Sequence, residues 1–317
     1  MASSGQSGNL VQTVIDEMLA DSDYRLYSSP DFGSVKDGMI MRQITPENGS
    51  FIEAPFGGGG YFKQTGEEQD PNKVNSRSGD AKTFTMNDYT RSETLPDNFE
   101  RDSSKHYAVA KILSNMRKAA YKSMELFGME AFRAGFSTAT TYTGTSIFNN
   151  SHTLLDGTTL DNLITSALDA DALEEAIIAL TQMKDQDGVI GAYEPKVLLV
   201  PTALYREATE QTGSVLKAGT ANNDINYVLS KYGIRVKQSP FLGANISAGT
   251  GITAGSDVSW FLISDDTPFL NVMVDDLELE VVDSSVRDNF VSLAKAKFRQ
   301  VTGATIPNGV IASNGTT

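Results

Sequence analysis

Apolar positions recur every three or four residues from Val109 to Ala131. Val109, Ile112, Leu113, Met116, Ala120, Met124, Phe127 and Ala131 share one stripe, which predicts an amphipathic helix over 104–134, the longest in the chain. Ser103 or Ser104 can cap its start and Gly135 can end it. At 1.5 Å per residue it would span roughly 45 Å. Lys105, Lys111, Arg117, Lys118, Lys122 and Arg133 occupy its other sides. A shorter stripe, Val11, Val14, Ile15, Met18 and Leu19, lies in an otherwise polar N-terminal region. It reads equally as an arm that docks on a neighbour and as a short surface helix.

Between residues 49 and 95 the period changes. Ser50–Gln64 and Ala81–Thr94 are strand-like, the second with Phe84, Met86 and Asp88 on one face and Thr83, Thr85 and Asn87 on the other. The run Gly57–Gly60 and the polar segment GEEQDPNKVNSRSGD lie between them. The pattern predicts a long two-stranded hairpin with a polar tip; a loop without regular structure is the alternative. A lone hairpin is marginal in water, so this one is expected to lie on another subunit. The expected contacts are Phe56, Tyr61, Phe62, Phe84 and Met86 on the arms and Glu67, Glu68, Lys73 and Arg77 at the tip.

From Asp156 onward the pattern is mixed. Asp171 and Glu174 resemble a capping box, and Leu173, Ala176, Ile177, Leu180 and Met183 line a helical face. Lys196–Val200 is a buried strand closed by Pro201, followed by a short helix over 202–212 and a second over 223–232. Strands are expected at Ile234–Val236, Val258–Ile263, Phe269–Val274, Leu277–Val282 and Phe290–Val301, with a small-residue loop over 243–256. In the last strand Ala294, Ala296 and Phe298 oppose Lys295, Lys297 and Arg299. The fold class is α+β.

Composition narrows the function. The 317 residues contain no cysteine, which removes disulfides and thiolate metal sites. The net charge of −14 argues against a sequence-specific nucleic-acid reader, yet suits a wall that encloses DNA without adhering to it. No apolar run approaches the roughly 18 residues of a membrane span, and MASSGQSGNL lacks the features of a secretory signal. Synthesis in the cytoplasm without a membrane partner is the expectation.

Catalytic constellations are sparse. The only histidines are His106 and His152, so a three-histidine zinc site is impossible. Ser151, His152 and Asp156 are too close in sequence for the usual triad geometry, and a hydrogen-bonded turn is the expected role. Gly57–Gly60 lacks the Gly-Lys-Ser/Thr ending of a phosphate loop. Lys184–Gly188 lacks the later ligands of a calcium loop. No catalytic residue, cofactor site or metal site is assigned. A hydrolase using Ser151 and His152 is the least favoured alternative.

The order of arm, hairpin, long helix, α/β unit and returning strands resembles the Hong Kong 97 phage capsid fold. Two phrases add to the resemblance. Ile147-Phe148-Asn149-Asn150-Ser151-His152 is similar to the "FN…H" segment of Mu-like head subunits, and Pro195–Pro201 followed by Leu204 to their "P-K-x-L-x-V-P-x-x-L" strand and turn. The resemblance implies an N-terminal arm at 1–48, an extended loop at 49–98, a peripheral domain with a spine helix at 99–155, an axial domain at 156–266, and peripheral return strands from 267 to 317. Spine-helix core positions would be Val109, Ile112, Leu113, Met116 and Phe127. It also implies a major head protein of the virion that assembles as hexamers and pentamers around DNA. A portal, decoration proteins and a separate scaffolding protein would be partners, since the N-terminus is too short to hold a scaffolding segment. The crosslinking lysine of some relatives has no matching motif around Lys63, Lys73 or Lys82. An encapsulin-like nanocompartment shell is the alternative on the same fold.

Overall fold

The computed structural model describes residues 34–47, 49–57, 60–67, 70, 73–96, 106–213, 228, 231–274, 277–282 and 291–315. Side chains at 95–96, 106–110, 281–282 and 291–292 are outside that description. The N-terminal stripe at 10–19, the caps Ser103 and Ser104, Glu68, the Val109 side chain and most of the helix expected at 223–232 also lie outside the described residues.

Among the described residues, ten strands in two five-stranded sheets organise the core. The first sheet contains β1 (Arg42–Ile44), β4 (Asn87–Pro96), β11 (Phe269–Met273), β12 (Glu278–Val282) and β13 (Val291–Ala304); β1 pairs parallel with β11, and β11, β12 and β4 each pair antiparallel with β13. The second sheet contains β7 (Leu163–Ile164), β14 (Val310–Ser313), β10 (Trp260–Ser264), β8 (Pro195–Pro201) and β9 (Arg235–Ser239), in that order. Two small ribbons complete the set: β2 (Ser50–Glu53) with β3 (Lys82–Thr85), and β5 (His152–Thr153) with β6 (Thr159–Leu160).

The second sheet is buried on both faces, which explains the unbroken apolar runs of its strands. Val197, Leu199, Phe261, Ile263, Val310 and Ala312 face one core with Phe132, Phe148 and Phe269. Leu198, Val200, Trp260, Leu262 and Ile311 face the other, against Leu173, Ala176, Ile177 and Leu180 of α3 (Ala170–Thr181). The first sheet packs Ala296 and Phe298 towards α1 (His106–Gly128), where Ala120, Tyr121 and Met124 are buried.

Several expectations need correction. The long helix is interrupted at Met129, and α2 (Glu130–Ala134) continues after it. At Gly128 a Cβ would lie 2.0 Å from Val35 Cγ2, so the N-terminal strap occupies the space a side chain would need. Gly135 does end α2, in right-handed conformation; a Cβ there would lie 2.5 Å from the Phe148 ring. The cap of α3 is Asp169, whose carboxylate accepts from Ala172 N at 2.7 Å, and not Asp171. The hairpin pairing stops at Thr85: Asn87–Pro96 leaves it to pair with Val291–Gln300. Within the stretch expected as an arm, residues 34–44 are built into the fold: Val35, Ile40 and Met41 are fully buried and β1 joins the first sheet. Val310–Ser313 belongs to the second sheet and does not return with the other late strands to the first.

Candidate assembly surface

The hairpin begins from a fixed base. Phe51 and Phe84 contact each other with ring centroids 6.4 Å apart, and Phe84 and Met86 are buried against Leu270 and Val272 of β11. Gly303 makes room for this: a Cβ there would lie 2.8 Å from the Phe84 ring. Lys82 Nζ donates to the carbonyls of Thr140 and Ala304 and sits 4.9 Å from the Phe84 ring centroid. Burial lowers its pKa to about 8. Glu53 pairs with Arg42 and accepts from Thr305 Oγ1. Phe84 and Met86 therefore belong to the chain's own core and are withdrawn as contacts to a neighbour.

Beyond the base the arms separate from regular pairing. Phe56 bridges Ser78, Gly57 N donates to Arg77 O at 2.8 Å, and Gly79 N donates to Pro55 O at 3.0 Å. This part leans on its own chain: Gly57 abuts Asp187, Gly79 abuts Tyr142 and Leu155, and Arg77 donates to Leu155 O. From Tyr61 to Glu67 and from Lys73 to Ser78 every described residue is exposed. Phe56 and Tyr61 are 71% and 66% exposed, and Phe62 is fully exposed. Three exposed aromatic side chains in one arm of the hairpin form the kind of apolar exposure that marks an association surface.

Of the expected helix core, Leu113 and Met116 are buried, and Ile112 and Phe127 are partly buried. Tyr89 stacks on Phe127 at 4.1 Å and on Phe298 at 4.9 Å. Beside this stack a groove of about 480 Å³ runs between α1 and strands β4 and β13. Its lining includes four small side chains, Ala119, Ala120, Ser123 and Ala296, with Asp88 and Arg91 of β4 also among it. Sequence reasoning passed over it because small residues in a helical stripe read simply as core.

Glu125 was also missed, as a lone acid in an otherwise ordinary helix. Its buried carboxylate accepts from Ser34 N at 3.3 Å and Val35 N at 3.2 Å. Burial raises its pKa to about 7, against the opposing pull of those two N–H groups, Lys237 and Lys36. The neighbouring Asp37 pairs with Arg235 at 2.7 Å and Lys237 at 3.4 Å. The strap 34–44 is thereby fixed to both α1 and β9.

Ser151, His152 and Asp156 do not form a triad. Ser151 Oγ donates to Asn149 Oδ1 at 3.0 Å, and the Asp156 carboxylate accepts from Thr158 N and Oγ1. His152 is buried with Nε2 3.1 Å from Ile147 O, and burial holds its pKa below the usual value. Asn162 completes the turn by donating to the carbonyls of Ile147 and Pro307 and accepting from Asn149 N. The "FN…H" phrase is a structural knot. Among the described residues no group of three or more His, Asp or Glu could hold a metal ion, and no helix is long and apolar enough to cross a membrane.

The arrangement of sheets and helices is that of solved phage capsids. The mature capsid of bacteriophage PhiM1 matches with TM-score 0.54 at 11% identity, over 86% of this chain and 83% of that one. The capsid of cyanophage P-SCSP1u gives 0.54 at 12% identity, over 86% and 85%. The head of Helicobacter pylori bacteriophage KHP40 gives 0.51 at 10% identity, over 87% and 88%. At such identities the likeness is one of fold. No curated protein sequence matches the chain. A family model described as phage capsid protein matches residues 93–312, and the chain belongs to that family. It is a structural shell protein and not an enzyme.

Proposed function

We propose that this chain is the major head subunit of a Hong Kong 97-type shell, of Mu-like kind, forming hexamers and pentamers that close into an icosahedral particle around phage DNA. In this reading α1 is the spine of the peripheral domain, together with the first sheet. The second sheet with α3 is the axial domain near the capsomer centre. The net charge of −14 keeps the wall from adhering to the packaged DNA. A separate scaffolding protein, a portal and decoration proteins are the partners of such a subunit, and the virion is its location.

The observation that carries the proposal is the hairpin: a base held by the chain's own core, and beyond it arms whose Phe56, Tyr61 and Phe62 are exposed. A neighbour in the ring supplies their cover. The tip charges Glu67, Lys73 and Arg77 pair across the seam, each exposed pair contributing only about 0–1 kcal/mol, so apolar burial dominates. Protease digestion before and after assembly tests this. The free subunit is cut between Gly66 and Gly79 and the shell resists; equal protection in both states would contradict the proposal. Deleting 66–79 leaves a folded subunit that assembles defectively.

A further inference from the structure

The strap divides into two parts that are held in different ways. In its first part, Ser34 N and Val35 N donate to the Glu125 carboxylate of α1 at 3.3 and 3.2 Å. The Val35 side chain is buried beside Gly128, in space that a Cβ there would need, and Val35 O accepts from Gln43 Nε2 at 2.6 Å. Asp37 pairs with Arg235 at 2.7 Å and with Lys237 at 3.4 Å on β9. The second part is core: Ile40 and Met41 are fully buried, Thr267 Oγ1 donates to Ile40 O, and Arg42–Ile44 pairs with β11. Between the two lie Gly38, with open space where a side chain would stand, and Met39, 47% exposed. Such a glycine can absorb a change of backbone direction.

Glu125 is covered by the part of the strap that can move. Its own helix is pinned to the first sheet, where Gln300 Nε2 donates to Met124 O at 3.3 Å and Met124 packs with Phe298. The charged groups around it come from four elements. The strap contributes Lys36 and Asp37, and β9 contributes Lys237 and Arg235. On α1 the neighbouring Lys122 is exposed, and on α2 Glu130 and Arg133 pair with each other at 2.6 Å. Lys237 is therefore shared between two carboxylates, Glu125 and Asp37. Burial penalises an ionised Glu125 more than the two N–H groups and the cations favour it, and its pKa rises to about 7. An ionised Glu125 gains water by displacing Ser34 and Val35.

We infer that residues 34–39 form a clip that the protonated Glu125 holds closed and that its ionisation opens, hinged at Gly38 and Met39. The clip belongs to the single subunit and does not depend on the shell reading. Opening hydrates the carboxylate and gives up the Val35 seat and the Asp37 pairs, while Ile40, Met41 and the β1 register stay in place. It adds six residues of tether before Ile40, roughly 20–22 Å at full extension. The residues before Ser34 thereby gain reach as pH rises. The closed form binds the proton, so closure is strongest below about pH 4.5. It weakens about tenfold per pH unit from there towards 7 and is level above.

Hydrogen exchange of the dissociated subunit from pH 5 to pH 8, corrected for the intrinsic pH dependence of amide exchange, tests this. Protection of the Ser34 and Val35 amides should fall on the order of tenfold or more across that range. Lys196–Val200 of β8 and Trp260–Ser264 of β10 should keep theirs. Glu125→Gln, similar in shape and neutral at every pH, should keep the clip protected up to pH 8. Protection at 34–35 that does not change with pH would overturn the inference, and this is read on the unaltered protein whether or not the variant folds. An equal decline in Glu125→Gln would also overturn it. So would a decline shared by β8 and β10, because the whole subunit and not the clip would then be opening. None of these results bears on whether the protein forms shells.

Discussion

Glu125→Gln isolates the most perturbed carboxyl of the described structure. The side chain is buried and its pKa is raised from 4.5 to about 7, chiefly by desolvation. The native state therefore binds more protons than the unfolded state between those values. Stability from the protonated group is fully present below pH 4.5 and is lost as pH rises through about 7. The difference of about 2.5 pKa units corresponds to about 3 kcal/mol at most. The groups facing it are the Ser34 and Val35 N–H groups, Lys36 and Lys237, with Asp37 and Arg235 next to the latter. Glutamine resembles the protonated acid in shape and does not titrate. Thermal unfolding of the dissociated subunit is measured for both proteins from pH 5 to pH 8. The difference in Tm between variant and wild type should move in the variant's favour by about 5 °C over that range. Comparing the two proteins cancels every other titrating group. Parallel curves would show that the strap does not bury this carboxylate.

Burial of His152 acts in the opposite direction. Its pKa is lowered, the native state binds fewer protons, and stability falls as pH drops through about 6.5; His152→Gln should flatten that acid limb in the same unfolding assay. Leu113→Asp puts an unpaired charge at a position 1% exposed and should cost at least about 3 kcal/mol, seen as loss of soluble folded subunit; normal yields would contradict it. Arg133→Met strips donors from the carbonyls of Leu126, Phe241 and Thr253 and a partner from Glu130. It should cost about 2–4 kcal/mol and make the 240–256 loop the first site of proteolysis.

Much of the core was legible because its signals are local. The stripe through Leu113, Met116, Ala120 and Met124 and the run Lys196–Val200 declare their own burial. Pairing partners are not local. The alternation of 81–94 is equally consistent with one long arm and with two strands in different sheets, and only the position of Val291–Gln300 decides between them. Val310–Ser313 is four residues long, too short to stand out, yet it lies inside the second sheet. Exposure of the hairpin aromatics followed from the polar tip, but Phe84 and Met86 looked identical to Phe56 and Phe62 until β11 covered them. The space that Val35 takes beside Gly128 comes from a residue distant in sequence, and no period within the helix announces the interruption at Met129.

Electron microscopy of the purified protein under assembly conditions tests the central claim most directly. The account predicts closed, roughly spherical shells of uniform size, built of capsomer rings with the hairpin bridging adjacent subunits. A preparation that stays monomeric across concentration and pH, or that grows only open filaments, would contradict it.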